Sequence, residues 1–196
     1  MRIALRTVTV SALLLVTACG SSPATTLLTL DPVTPPPAAV HADYRGPVIV
    51  IPAVHVPAVI DRTEFVHQVT AGSAKVDDLA HWAAPLGLLS RDTLVRDLIA
   101  RLPEGKVLPP GATAPRKGAS VIDVTILGFA TTPNGATMQI SWRLLPDGAT
   151  RQVSFNVEQP ISTPPTAATA YAALIAMLAD NMSGELSSAS ERVQHP

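Results

Sequence analysis

The sequence predicts a single α+β domain, in which a mainly antiparallel or mixed sheet is covered by two amphipathic helices. Three segments between residues 120 and 157 alternate apolar and polar side chains, as strands with one buried face do. Two segments, after Pro85 and after Thr166, carry apolar residues at helical spacing. With 196 residues, 47% of them hydrophobic, the chain is long enough for one core-forming domain. We expect this domain to cover residues 25–190 and residues 191–196 to be a flexible tail.

Composition excludes several classes of protein. The formal net charge is -1, so the chain is not a strongly basic nucleic-acid binder. It has 1 cysteine, which excludes an internal disulfide framework and a cysteine-rich zinc site. The mean hydropathy of +0.30 is high for a chain with only 15% charged residues. Part of that hydropathy lies at the N-terminus.

Residues 1–18 have the organisation of a secretory signal peptide. Arg2 and Arg6 supply positive charge, and the uncharged stretch 8–18 follows them. A membrane-spanning helix needs about 20 apolar residues, so this stretch is too short to remain in a bilayer. We therefore expect it to be removed from the mature protein.

The single cysteine stands directly after the uncharged stretch. The sequence Val16-Thr17-Ala18-Cys19 resembles a bacterial lipobox, with Val in place of the usual Leu. The resemblance implies cleavage before Cys19 and attachment of lipid to its sulfur. Gly20, where inner-membrane lipoproteins carry Asp, resembles the signal for sorting to the outer membrane. Residues 19–24 are then a lipidated tether, whereas the alternative is an ordinary signal followed by a chance or buried cysteine.

The first half of the domain reads as short β segments separated by prolines. Residues 25–30 are β-prone, and residues 32–47 contain five prolines and predict a loop. The continuous apolar run Val48–Ile51 predicts a central strand covered on both faces. Residues 64–69 and 73–79 predict a β-hairpin around a glycine-containing turn.

The segment after Pro85 predicts the first helix. Asp92–Arg96 and Asp97–Arg101 have the i,i+4 spacing and acid-first order of surface ion pairs, so we expect both pairs on the solvent side. Pro103 and Gly105 end the helix. Its apolar stripe consists of Leu88, Leu94, Val95, Leu98, Ile99 and Leu102.

The second half predicts a three-stranded meander and a final helix. The turns between strands are Thr132–Gly135 and Pro146–Gly148, and we expect Gly148 at positive φ. The final helix is predicted over about 166–189, followed by fraying from Ser187. Its apolar face consists of Tyr171, Leu174, Ile175, Leu178 and Met182.

No group of residues points to catalysis. The sequence contains no G-x-S-x-G elbow, P-loop or G-x-G-x-x-G fingerprint. Its five histidines form neither H-x-x-x-H nor H-x-H spacing, so we expect no metal site. We predict a protein that is not an enzyme and has no cofactor apart from covalent lipid on Cys19.

The candidate partner or oligomer contacts are Asp61, Arg62, His81, Trp82 and Pro85. Asp61 is first interpreted as a turn residue that caps backbone amides, with Arg62 holding the loop; the alternative is a contact with a partner. Trp82 is first interpreted as a residue at the edge of the core, and alternatively as a ligand platform.

Three stretches carry a resemblance to a known family. Val48–Val66 resembles a strand followed by a proline loop and a D-R element; 81–86, HWAAPL, resembles an R-W-A-E-P-L signature; and Ser90–Leu102 resembles the helix after it. With the lipobox, these stretches resemble the ABC-type transport auxiliary lipoprotein family, the PqiC-like lipoproteins associated with MCE-domain transporters. His81 and Ala84 replace the Arg and Glu of the signature, so a salt bridge made by those charges would be missing here.

The resemblance implies a non-catalytic, lipid-anchored docking subunit at the periplasmic face of the outer membrane, which supports membrane integrity. Its implied partners are an MCE-domain periplasmic protein of an ABC-type or Pqi-type lipid transporter and outer-membrane lipid. A homo-oligomeric ring is among the assemblies the resemblance implies. The alternative function is a periplasmic carrier that itself holds an acyl chain, which requires an apolar cavity of roughly 300 Å³ or more.

Overall fold

The computed structural model describes residues 24–70, 72–115, 118–146 and 148–194. The predicted signal peptide, Cys19 and the tether up to residue 23 lie outside these ranges. Within them the chain forms strands, two α-helices and one short 3-10 helix (Pro37–Ala39). The elements are β1 (Thr26–Leu28), β2 (Val48–Val50), β3 (Val54–His55), β4 (Glu64–Thr70), β5 (Ser73–Trp82), α1 (Leu86–Ile99), β6 (Ala119–Thr132), β7 (Gly135–Leu145), β8 (Arg151–Glu158) and α2 (Pro164–Gln194).

The strands form two mixed sheets where the sequence predicts one. The smaller sheet has the order β1-β5-β4, with β1 parallel and β4 antiparallel to β5. The larger sheet has the order β2-β6-β7-β8, and β3 also pairs with β6. Pro52 separates β2 from β3 within the larger sheet, and Pro57 lies between β3 and β4, where the chain passes to the smaller sheet; proline cannot donate to a strand ladder. The combination of mixed sheets with two helices confirms the α+β class.

The run Val48–Ile51 lies at a sheet edge, so the prediction of a central strand is wrong. β2 pairs with β6 on one side and makes only a single bridge, Ile49 with Val107, on the other. Ile49 is fully buried while Val48 and Val50 are half-buried. The buried Ile49 therefore lies on one face of a short edge strand, and the half-buried Val48 and Val50 lie on the other.

Helix α1 begins directly after Pro85, as predicted, but its buried face is rotated from the predicted stripe. Leu94, Val95 and Leu98 are buried, whereas Leu88 and Ile99 are 40% and 45% exposed. The helix packs against α2 through a face that also includes polar side chains. The buried polar residues of this region are Ser90, Thr93, Asp97 and Arg101.

Neither predicted surface ion pair of α1 forms as expected. Arg96 donates to the backbone oxygen of Leu30 at 3.0 Å, and Asp92 pairs instead with Arg91 at 2.7 Å. Asp97 and Arg101 do lie close together, but both are buried at the contact with α2. The i,i+4 spacing sets their proximity; which side of the helix faces a neighbour is decided by the tertiary fold.

Helix α2 covers the larger sheet. It begins at Pro164 and extends to Gln194, so the predicted end at Ala189 is five residues early. Leu186 and Ser187 are both only 5% exposed, which explains why the helix continues past the predicted point of fraying. The predicted apolar face of the helix is confirmed, because all five of its residues are buried. They meet the sheet residues Ile122, Val124, Ile126, Met138, Ile140 and Trp142 in one core.

The turn at Pro146–Gly148 differs from the prediction. Gly148 does not have a positive φ, unlike Gly72, Gly105, Gly111 and Gly118. Its backbone N–H donates to the oxygen of Leu144 at 2.7 Å, and a Cβ at Gly148 would collide with that oxygen. Glycine is required here by close approach of the backbone rather than by left-handed geometry.

Candidate functional site

The structure brings the predicted contact residues to one end of the smaller sheet. Glu64 at the start of β4 pairs with His81 near the end of β5. The backbone N–H of Trp82 donates to the oxygen of Thr63 at 2.6 Å. Asp61 and Arg62 occupy the loop just before β4, and Pro85 immediately precedes α1. We call the exposed residues Asp61, Arg62 and Pro85, with the half-buried His81, the loop-end surface.

Arg62 holds this loop against β4. Its Nε donates to Oε2 of Glu64 at 3.3 Å, which agrees with the first interpretation of Arg62. A backbone N–H and then the Arg62 guanidinium hold the pKa of Glu64 below its usual value, and His81 adds a smaller effect in the same direction. This end of the sheet is therefore a hydrogen-bonded patch that carries both signs of charge.

The Asp61 carboxylate does not cap the loop within the described residues. Its backbone N–H donates to the oxygen of Pro57 at 3.0 Å, but its exposed carboxylate makes no hydrogen bond with the described part of the chain. The expected capping role of this side chain is therefore not observed. Its exposure leaves the partner-contact interpretation as a proposal.

Trp82 lies in the core and not on the loop-end surface. It is 3% exposed, and its ring centroid lies 5.8 Å from Phe65 and 6.0 Å from Tyr171. The burial of Trp82 therefore corrects its prediction as a contact residue. Pro85 is exposed, and its backbone oxygen accepts from the N–H groups of Leu88 and Leu89 at 2.9 and 3.0 Å. Trp82 thus packs in the core beside the loop-end surface, while Pro85 is the residue directly before α1.

A buried hydroxyl pair joins the two helices beneath this surface. Oη of Tyr171 lies 3.0 Å from Oγ of Ser90, and that Oγ donates to the backbone oxygen of Leu86 at 2.7 Å. Burial raises the pKa of Tyr171, and the Asp61 carboxylate adds to the rise while Ser90 opposes it. No sequence prediction included this pair, although a serine on the buried side of an apolar helix was a signal for it.

The described residues form an apolar groove of about 590 Å³. It lies between the loop 57–60, the β4–β5 hairpin and the adjoining parts of β6 and β7, and we call it the hairpin groove. Its apolar wall includes Val59, Ile60, Val66, Leu127 and Phe129. None of the described residues that line it is charged.

The hairpin groove has an aromatic base and an exposed rim. Phe129 packs edge-on against Tyr171, with ring centroids 4.8 Å apart. Val59 and Leu127 are 58% and 48% exposed. The strand register shifts between Ile126 and Gly128, which places Leu127 in an irregularity of β6. The isolated Gly128 within the alternating β6 segment was a sequence signal for this irregularity.

Metal-ligating clusters and bilayer-spanning helices are both absent from the described ranges. No group of three or more potential metal-ligating side chains comes together there. Neither α1 nor α2 combines the length and the apolar character required to cross a bilayer.

Comparison with known families defines the class of this protein. Residues 28–183 match the family model of the ABC-type transport auxiliary lipoprotein component. The match covers more than half of the chain and includes β2 to β8, α1 and most of α2. The chain belongs to this family, and it is therefore an auxiliary component of ABC-type transport and a lipoprotein of the membrane-anchored kind.

Solved structures share the fold at low sequence identity. A crystal structure of an uncharacterized protein has a TM-score of 0.70 at 18% identity and covers 84% of this chain and 100% of its own. Protein XCC0632 from Xanthomonas campestris, of the family DUF330, has a TM-score of 0.62 at 20% identity and covers 86% and 99%. These similarities establish the fold alone. A comparison with curated proteins gave no match.

Proposed function

We propose that this protein is a lipid-anchored docking subunit on the periplasmic face of the outer membrane, serving an MCE-type system that moves lipid between the two membranes. The observation that carries the proposal is the family match over residues 28–183, which follows closely after the lipobox cysteine Cys19. An auxiliary component that is held at a membrane fits the task of connecting a periplasmic partner to that membrane.

The tether keeps the domain close to its membrane. Thr26, the first residue of β1, stands seven positions after Cys19. At about 3.3–3.6 Å per extended residue, this segment reaches about 25 Å at most. The domain is therefore held within about one domain diameter of the bilayer, where a periplasm-spanning partner would end.

The anchor is tested by fractionation of membranes after replacing Cys19 by Ser. We expect the variant to leave the outer membrane or to persist as an uncleaved precursor. Gly20→Asp is the matched control, because it leaves the lipid attachment site intact and should redirect the protein to the inner membrane. Unchanged outer-membrane fractionation of Cys19→Ser would contradict the anchor.

The transport role is tested by genetic interaction in a bacterium that encodes this protein. We expect loss of the protein to sensitise cells to detergent, and loss of the MCE protein to have the same effect. Deleting both should be no worse than deleting either, because the two would act in one system. Additive sensitivity would contradict a shared role.

One observation favours the second candidate function, in which the domain itself holds an acyl chain. The hairpin groove, at about 590 Å³, exceeds the roughly 300 Å³ that such a carrier requires. The two functions are compatible, because a docking subunit can also bind the lipid that its system moves.

A further inference from the structure

We propose that the hairpin groove binds one acyl chain of a membrane diacyl lipid, with the lipid headgroup left outside the groove. The inference rests on the proposed function only because that function holds the domain at a lipid membrane. It assigns the lipid contact to the walls made by the loop 57–60, the β4–β5 hairpin and β6.

The chemistry of the groove matches a hydrocarbon chain. Its volume of about 590 Å³ lies within the 300–1,000 Å³ typical of small-molecule sites. No described lining residue is charged, so neither a phosphate nor an ammonium group has a partner of opposite charge among them. A neutral, apolar interior favours the tail of a lipid and leaves its charged headgroup in water.

The lining favours a lipid tail over an extended peptide. Among the described lining residues, the polar side chains are those of Ser73, Thr137 and Gln139. A peptide brings one N–H and one C=O per residue, and each of those groups needs a hydrogen-bond partner when buried. A hydrocarbon chain brings none, so its burial needs only the apolar walls.

The tether keeps the groove within reach of membrane lipid. Thr26, the first residue of β1, stands seven positions after Cys19, so at about 3.3–3.6 Å per extended residue it lies at most about 25 Å from the anchored residue. β1 pairs with the end of β5, with Thr26 opposite Ala80, and β5 begins at Ser73, a residue of the groove lining. The groove therefore lies within about one strand length of the point where the tether joins the domain.

The groove can be blocked without disturbing its walls. A Cβ added at Gly128 meets no atom within 4 Å, and the φ of Gly128 is not positive. Gly128→Trp should therefore fill the groove, while Gly128→Ala serves as the matched control that leaves it open. Ala74→Trp, from the opposite wall, is a second blocking variant in case the first alters the fold.

The test is photocrosslinking of the full chain in cells grown with radiolabelled phosphate. A photoreactive benzoylphenylalanine replaces Leu127 in the groove or, as a control of similar exposure, Ile99 on α1. We expect labelled phospholipid on the protein with the probe at Leu127, at least fivefold above the Ile99 control. Gly128→Trp or Ala74→Trp should remove that signal, and Gly128→Ala should retain it. The phosphate label also separates membrane phospholipid from the protein's own anchor, which is a phosphate-free diacylglycerol.

The results that would contradict the groove proposal differ from the result that would contradict the docking function. Equal labelling at both positions would show general contact with the bilayer and would overturn the groove proposal. Labelling that survives both blocking variants, or crosslinking to a protein in place of lipid, would also overturn it. Failure to recover an MCE partner would overturn the docking function and leave a positive groove result intact.

Discussion

Arg101 and Asp180 form an ion pair that joins the end of α1 to the middle of α2. Nε of Arg101 lies 2.5 Å from Oδ1 of Asp180, and the Arg101 side chain is only 1% exposed. The same guanidinium donates to the backbone oxygen of Asp97 at 2.7 Å. The buried guanidinium of Arg101 therefore binds acceptor oxygens on both helices.

We predict that Arg101→Met destabilises the fold by about 3 kcal/mol, because it leaves buried acceptors without their cation. The free energy of unfolding, measured in urea, provides the test. Arg143→Met is the control, since Arg143 and its partner Asp123 are 48% and 37% exposed and such pairs contribute about 0–1 kcal/mol. Equal effects of the two substitutions would contradict the importance of the buried cluster.

Asp97 should make stability depend on pH. Burial raises the pKa of its carboxyl from 3.8 to about 6, although Val33 N–H, Arg101 and Arg96 oppose the rise and Asp180 adds to it. Since the folded state holds this proton more tightly than the unfolded chain, the contribution of Asp97 is favourable below pH 4. It is lost as the pH rises through 6.

The prediction is tested by unfolding wild type and Asp97→Asn, which cannot titrate, at a series of pH values. The free energy of unfolding of wild type, relative to the variant, should fall by up to about 3 kcal/mol between pH 4 and pH 7. Parallel pH curves for the two proteins would rule out a raised pKa at Asp97.

The Tyr171–Ser90 pair should respond asymmetrically to substitution. Tyr171→Phe removes one hydroxyl while Ser90 Oγ keeps its bond to Leu86, so we expect a cost of about 1 kcal/mol. Ser90→Ala leaves the fully buried Tyr171 hydroxyl without a partner and should cost more, about 1–3 kcal/mol. Chemical denaturation measures both costs, and a larger loss for Tyr171→Phe would contradict the assigned bonding.

Asp61→Ala should leave stability within about 0.5 kcal/mol, because the exposed carboxylate makes no hydrogen bond to the described chain. If Asp61 contacts a partner, the same variant should reduce recovery of that partner from membranes. Asp78→Ala, another exposed aspartate, is the matched control. A loss of stability with normal partner recovery would instead assign Asp61 a structural role.

The elements that the sequence predicted correctly are those with local periodicity. The faces of α2 and of the β6–β7–β8 meander follow from spacing alone, because a period of 3.6 or 2 fixes which residues share a face. The predicted solvent exposure of Asp97 and Arg101 was wrong, because spacing does not reveal that α2 packs over them. The first interpretation of Trp82, as a residue at the edge of the core, was correct. The family-like signature that contains Trp82 gave no information about the exposure of its side chain.

The hairpin groove could not be predicted because its walls are distant in the sequence. The loop 57–60, the hairpin around Gly72 and the β6 segment at Leu127 meet only after the two sheets form. Only Gly128, an isolated glycine within a predicted strand, indicated a local irregularity at this position. The proposed lipid-binding surface thus depends on tertiary contacts between segments whose individual patterns do not indicate a site.

Affinity purification tests the docking function most directly. The tagged full chain is solubilised from membranes in mild detergent, in a bacterium that encodes both this protein and an MCE-domain protein. We predict that mass spectrometry will recover the MCE-domain protein with wild type and Asp78→Ala, and will recover less of it with Asp61→Ala. Clean purification of the anchored protein without any MCE-domain partner would contradict the account.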